Sequence, residues 1–217
     1  MDRESQEADT LSPVSYSTMS KRRGIDTSVT RDRVLEAAEE LIIAGEFAHA
    51  TVAELAERAD VSRATVFSRF GSKLGVLEAL SVRCAGGPEM RAIRAAVALP
   101  DPVEAALSVI QASCDQWERQ GHILLTLKAV AELEPGAIAL LEAQREDQRS
   151  SLEHIVRGLE AQGRLAGLSR AHAVAALHMI TSVESFMELR RNASMSLAAT
   201  KRVLASMATG LLDLAPR

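Results

Sequence analysis

Two helix-start signals set eleven residues apart constrain this chain more than any other feature. Thr51-Val52-Ala53-Glu54 reads as a capping box, in which the Thr hydroxyl accepts one free backbone N–H and the Glu carboxylate reaches back to another. Ser62 offers a second cap and Ser72 a third. A helix opened at Thr51 must therefore close near Ala59, and only Asp60-Val61-Ser62 remain to turn the chain. The spacing predicts helices over 52–59 and 63–69 in a helix-turn-helix, then another from Lys73 to about Cys84.

The remainder reads as helical too. Of 217 residues 36 are Ala, and aromatic residues make up 3%. Ala is the best helix former, whereas aromatic and β-branched residues favour strands. From Thr30, Val34, Ala38, Leu41, Ile42 and Gly45 follow the spacing of one helix face, and Gly45 ends it. Gly86-Gly87-Pro88 interrupts the pattern before a short helix over 89–98. Asp101-Pro102 is a cap followed by Pro at the first helical position; it opens a helix expected to stop at Gly121, before a segment from His122 to about Leu133. Pro135 opens a helix to about Gln162, Ser169 one to about Arg191, and Ser196 the last, to about Leu212. No strand-like alternation or internal repeat is present, so the expected fold is all-α with nine or ten helices.

Several classes drop out. No stretch approaches 18 consecutive apolar residues, and residues 1–20 have no apolar h-region, so neither a membrane span nor a secretory signal is expected. Cys84 and Cys114 form no disulfide framework or metal knuckle; they read as buried small hydrophobes in a reducing cytosol, with a redox role as the alternative. The histidines make no metal triad, and no nucleophile lies at helical spacing from a base, so neither metal nor cofactor nor enzymatic activity is expected. Residues 1–28 are polar and read as a disordered tail; Lys21-Arg22-Arg23 at its end is either a solvated charge run or an arm for phosphates.

Net charge is −4, yet residues 58–75 hold Arg58, Arg63, Arg69 and Lys73 against Asp60 alone. A confined cationic patch on an acidic chain fits a local DNA contact. With Val66 at the centre of the buried face of its helix and Phe70 one turn on, Ala64 and Ser68 point outward at 100° per residue. Thr65 and Phe67 flank them, and Arg63 and Arg69 reach round. Small residues along the strip let a helix lie deep in a major groove, and hydroxyls and cations at its rim suit phosphates.

Residues 51–77, TVAELAERADVSRATVFSRFGSKLGVL, resemble the DNA-binding signature of the tetracycline-repressor (TetR) family. Thr51, Leu55, Ala56, Ala59, Val61, Ser62, Thr65, Val66, Phe70, Ser72, Lys73 and Leu77 match its pattern, and Ala37, Ala38 and Leu41 fit the preceding helix. Two positions depart from it. Asp60 stands where the family has Gly, a cost of ~1 kcal/mol in a left-handed turn. Phe67 stands where it has Tyr, losing a phenol worth roughly 1–2 kcal/mol on a phosphate. The expected DNA-binding residues are Arg63 for base reading, Ala64 against a thymine methyl, and Phe67 against sugar or methyl. Ser62, Thr65, Ser68, Lys73 and Thr51 position the backbone, while Arg69 either joins them or forms a surface salt bridge.

The resemblance implies a helix-turn-helix domain over 29–84 and a helical effector-binding and dimerisation domain over 88–214, the last two helices pairing with their copies. Their apolar residues support this: Val174, Leu177, Ile180, Val183 and Phe186 in one, Val203, Leu204, Met207, Leu211 and Leu212 in the other. The candidate effector pocket comprises Met90, Cys114, Trp117, His122, Leu125, Lys128, Met179 and Phe186, with plain core packing as the alternative. Scarce aromatics argue against a cationic cage and for an apolar or acyl-like effector. Gly86-Gly87-Pro88 is either a hinge between the domains or an ordinary loop. The expected protein is a cytosolic bacterial homodimer, a repressor that an effector releases from a palindromic operator. The alternative is a helical small-molecule-binding or scaffold protein with weakened DNA binding.

Overall fold

The computed structural model describes residues 15–132 and 135–215, with side chains from Ser28 onward. Ten α-helices follow one another: α1 Ser15–Ile43, α2 Val52–Arg58, α3 Arg63–Phe70, α4 Lys73–Ala85, α5 Pro88–Val97, α6 Pro102–Ala131, α7 Pro135–Ala161, α8 Arg170–Thr181, α9 Val183–Met187 and α10 Leu197–Leu211. A π-helical turn, Glu188–Asn192, continues α9, and no strand occurs among the described residues. No helix among them is long and apolar enough to cross a membrane.

The caps explain the helix starts. The Thr51–Glu54 capping box is complete, with the Glu54 backbone N–H donating to Thr51 Oγ1 at 3.2 Å and the Thr51 N–H to Glu54 Oε2 at 2.6 Å. Ser62, Ser72, Asp101, Ser169 and Ser196 all cap the helices expected behind them. Each such cap is worth about 1 kcal/mol.

Three expectations change. α1 begins at Ser15, so it overlaps the stretch read as a tail; residues 1–14 and the Lys21-Arg22-Arg23 side chains lie outside the description. α6 does not stop at Gly121 but runs through it for 30 residues, about 45 Å. The reason is close packing: a Cβ at Gly121 would sit 2.7 Å from Met187 Cε and 3.2 Å from Val183 Cγ2. The helix expected over 169–191 breaks at Ser182, whose backbone is extended (φ −73°, ψ 153°). Its hydroxyl donates to Met179 O at 2.8 Å and accepts from the Ser185 N–H, a cap that starts α9.

Two apolar cores result. One joins α6 (Val109, Ile110), α7 (Leu152, Ile155), α8 (Leu177, Ile180) and α10 (Leu204, Ala208). The other gathers Val34, Leu35 and Ala38 of α1, Leu55 of α2, Val66 of α3 and Leu77 and Leu80 of α4. This second core also takes Ile123, Leu127 and Val130 from α6 and Ala137 and Leu141 from α7, so the division expected between 84 and 88 crosses it. At that division Arg91 donates to Gly86 O at 2.6 Å and Arg94 to Ala85 O at 3.2 Å, tying α5 to the end of α4.

Candidate nucleic-acid interface and ligand cavity

The turn between α2 and α3 places Asp60 in the left-handed region at φ +50°. Asp tolerates that conformation better than most residues, and here it gains a partner that glycine would lack. Arg33 of α1 donates to both the Asp60 carbonyl (2.9 Å) and its Oδ2 (2.5 Å), pinning the turn to the first helix. Ser62 then caps α3, accepting from the Thr65 N–H at 3.0 Å and bonding the Thr65 hydroxyl at 2.8 Å. Val66 is fully buried and anchors α3, so the opposite face is open.

That face carries Arg63, Ala64, Phe67 and Ser68, all exposed, with Thr65 and Arg69 beside them. The Arg63 guanidinium lies 5.4 Å from the Phe67 ring centroid and makes no hydrogen bond or ion pair with the described residues. Its donors are therefore uncommitted among the described residues, on a helix whose central strip is small. The hydroxyls are engaged locally: Ser68 donates to Thr65 O at 3.0 Å, and Thr51 to Glu54 Oε2 at 2.9 Å. Hydrogen bonds from the Thr51 backbone and then its hydroxyl hold the Glu54 carboxyl below its ordinary value, so the box is ionised at neutral pH. Lys73 is placed differently from the expected phosphate contact. Its half-buried ammonium donates to Phe47 O (3.2 Å), Ala48 O (2.8 Å) and Ala50 O (3.2 Å), and lies 5.6 Å from the Phe47 centroid. All three donors go to the loop that delivers the chain to Thr51, so Lys73 positions the interface rather than presenting charge to it.

A cavity of about 530 Å³ lies beside α6, between α4, α5, α7, α8 and α9. Met90, Trp117 and Lys128 line it, as three of the eight expected pocket residues. The other five do not. Cys114 and Phe186 are buried in the core, Met179 is exposed at 62%, and neither His122 nor Leu125 reaches the cavity. His122 instead faces Glu39 of α1, its Nε2 at 3.6 Å from Oε1, while Arg83 of α4 donates to Oε2 at 2.5 Å. The polar lining that the sequence reading missed comes from glutamines. Gln120 Nε2 donates to the buried Glu89 at 3.0 Å, Gln116 Nε2 to Met90 Sδ at 3.1 Å, and Gln148 Nε2 to the Thr181 hydroxyl at 3.2 Å. Ser113, Gln116, Gln120 and Leu124 recur at three- and four-residue spacing, a signal available once α6 is read as one helix.

The charges around the cavity are partly matched. Lys128 donates to Glu184. Burial alone would raise the Glu184 carboxyl, but hydrogen bonds from Lys128 and from its own backbone, with the positive charges of Lys128 and His178, hold it below its ordinary value. Trp117 Nε1 donates to Thr181 O at 2.8 Å, so the indole packs against the cavity with its polar edge satisfied. Burial, then the Glu39 charge, pushes the Cys84 thiol up to about 11, so it is a neutral wall group at neutral pH.

Residues 34–80 match the family model of bacterial regulatory proteins, tetR family. An HTH-type transcriptional regulator of Bacillus subtilis (strain 168), YvkB, is 43% identical over 51 residues, 24% of this chain and 27% of that protein. Among solved structures, the TetR family transcriptional regulator PfmR from Thermus thermophilus superposes with a TM-score of 0.67 at 23% identity, covering 86% of this chain and 97% of that one. SmeT, the repressor of the Stenotrophomonas maltophilia multidrug efflux pump SmeDEF, gives 0.65 at 20% identity over 84% and 89%. The sequence match falls on the helix-turn-helix built around Asp60, and the fold continues through the helices around the cavity. Residues 34–80 thus match the tetR family of bacterial regulatory proteins, and the helices around them share the fold of these solved structures.

Proposed function

We propose that this protein is a homodimeric transcriptional regulator, a repressor in the bacterial cytosol that leaves a palindromic operator when a small molecule occupies the cavity beside α6. One observation carries the reading: α3 presents Arg63, Ala64, Phe67 and Ser68 outward on a short helix held by Val66 and capped by Ser62. Arg63 reads a guanine edge through its fork, and Ala64 keeps the helix close to the groove floor. Phe67 packs on sugar or a thymine methyl where a phenol would have bonded a phosphate. Effector control follows from α6, which lines the cavity and also completes the core beneath α1–α4. Triclosan bound to SmeT is a precedent for a small ligand within such a fold. Dimerisation is supported by Met179 of α8 and Met207 and Leu211 of α10, large apolar side chains exposed on elements whose other faces are buried.

The test is selection of duplexes from a random DNA pool, with wild type and Arg63→Ala in parallel. Wild type is expected to enrich a palindrome. The variant should bind at least tenfold more weakly and lose preference at one position per half-site, the effect of removing a contact worth about 1–3 kcal/mol. A folded dimer that enriches nothing at low salt would overturn the regulator reading in favour of a small-molecule-binding or scaffold protein.

A further inference from the structure

We propose that Arg31 of α1 grips a DNA phosphate at the rim of the groove that α3 enters, so that the interface takes in a second helix. The assignment rests on the reading of α3 as the groove helix and adds a residue to that same site.

The first observation is an uncommitted cation. The Arg31 guanidinium lies over the Phe70 ring, 5.8 Å from its centroid. Arg31 is exposed and makes no hydrogen bond or ion pair with the described residues. A ring face attracts a cation without consuming its N–H donors. The neighbours of Arg31 do not consume them either. Arg33 is committed to Asp60, and Asp32, next along the helix, does not face Arg31 because adjacent helical residues diverge.

The second observation is the flank on which this cation stands. With Val66 as the inward direction of α3, Arg63, Phe67 and Phe70 fall within about 60° of one another at 100° per residue. Thr65 and Arg69 fall on the other flank, and Ala64 and Ser68 form the outward strip between. Arg63 lies over Phe67 at 5.4 Å and Arg31 over Phe70, so successive rings of one flank each carry a guanidinium.

The third observation is depth. Phe67 is exposed, whereas Phe70 is half-buried and packs against the core beneath α3. A cation on Phe70 is therefore set back from the outward strip, toward the body of the protein. The major groove is about 8.5 Å deep, with phosphates along its edges. A helix whose outward strip reaches the base edges brings its core-side flank level with those phosphates. Arg63 then meets the bases and Arg31, one ring further back, meets the backbone, which a guanidinium fork fits well.

The test is a salt series. Full-length protein is titrated by fluorescence anisotropy against the duplex it enriches, with Arg31→Met and Arg31→Lys in parallel. The slope of log affinity against log salt should be shallower in Arg31→Met by about 0.9 per protomer, and affinity at about 0.15 M salt about fivefold weaker per protomer. The enriched sequence should remain that of wild type, since a phosphate contact carries no base information. Arg31→Lys should keep the wild-type slope, because the charge that displaces counterions is retained. Packing on Phe70 alone would lower the melting temperature of Arg31→Met and leave its slope untouched. A wild-type slope in Arg31→Met, or a changed consensus, would overturn the assignment and leave the regulator reading standing. A folded wild type that enriches no duplex at low salt would overturn both.

Discussion

Lys73 has the composition of a phosphate contact and the geometry of a strut. Three backbone carbonyls from Phe47, Ala48 and Ala50 take its three donors, and the Phe47 carbonyl also accepts the Ala50 N–H at 3.3 Å. Hydrogen bonds to a charged group contribute about 1.5–3 kcal/mol. Lys73→Met should therefore lower the unfolding free energy by about 2–3 kcal/mol in a urea titration without DNA, and an ordinary phosphate ligand would leave that measurement unmoved. Spacing made Lys73 visible but not its partners, because the loop carbonyls that claim it belong to no motif. Asp60 is the converse. Its left-handed turn was suggested by the Gly that the resembled family has at that position, whereas Arg33, 27 residues away, was not legible. The thiols give a pH signature. Cys84 and Cys114 are both pushed up to about 11 by burial, from an ordinary value of 9.0. Unfolded thiols ionise first, so their contribution is intact below pH 9 and is lost as pH rises to 11. The fall in melting temperature across that window should be shallower in Cys84→Ala/Cys114→Ala than in wild type.

At the scale of elements, the helix starts were legible and two helix interiors were not. A cap is a local event: Thr51, Ser62, Ser72 and Asp101 each bond a backbone N–H within three residues, so the sequence carries the whole cause. Gly121 has the composition of a stop but serves a crossing, and what it touches, Met187 and Val183, lies more than sixty residues on. Ser182 looks like an ordinary interior residue yet opens a new helix, because its hydroxyl competes for backbone groups on both sides. The same two positions scattered the expected pocket. With α6 cut at 121, Gln120 ended one helix and His122 began another. With α6 whole, the glutamine faces the cavity and the histidine faces Glu39. Gly121→Leu should cost about 2–3 kcal/mol by driving α9 off α6. Gly121→Ala should be nearly neutral, since about 1 kcal/mol of helix propensity offsets a contact with the flexible end of Met187. Thermal melts of the two variants, side by side, check the difference.

At the scale of the whole molecule, the apolar residues left over after folding are as informative as those buried. α10 buries Leu204, Ala208 and Leu212 and leaves Met207 and Leu211 about half exposed, on a helix with no charged residue after Arg202. On the dimer proposed above, Leu211→Glu should shift the protein from dimer to monomer in sedimentation at micromolar concentration while the far-ultraviolet circular dichroism of wild type is retained. A wild-type protein that sediments as a monomer would rule out two coupled reading heads. Ile123, Leu127 and Val130 of α6 complete the packing beneath Leu77 and Leu80, so the N-terminal unit has no seam along which it comes away clean. It is not a cartridge. A chimera that grafts the first hundred residues onto a relative's sensor inherits mismatched halves of one hydrophobic interior. If α3 reads DNA as proposed above, such a lineage acquires new operators more cheaply by altering the few outward positions of α3 than by exchanging the head.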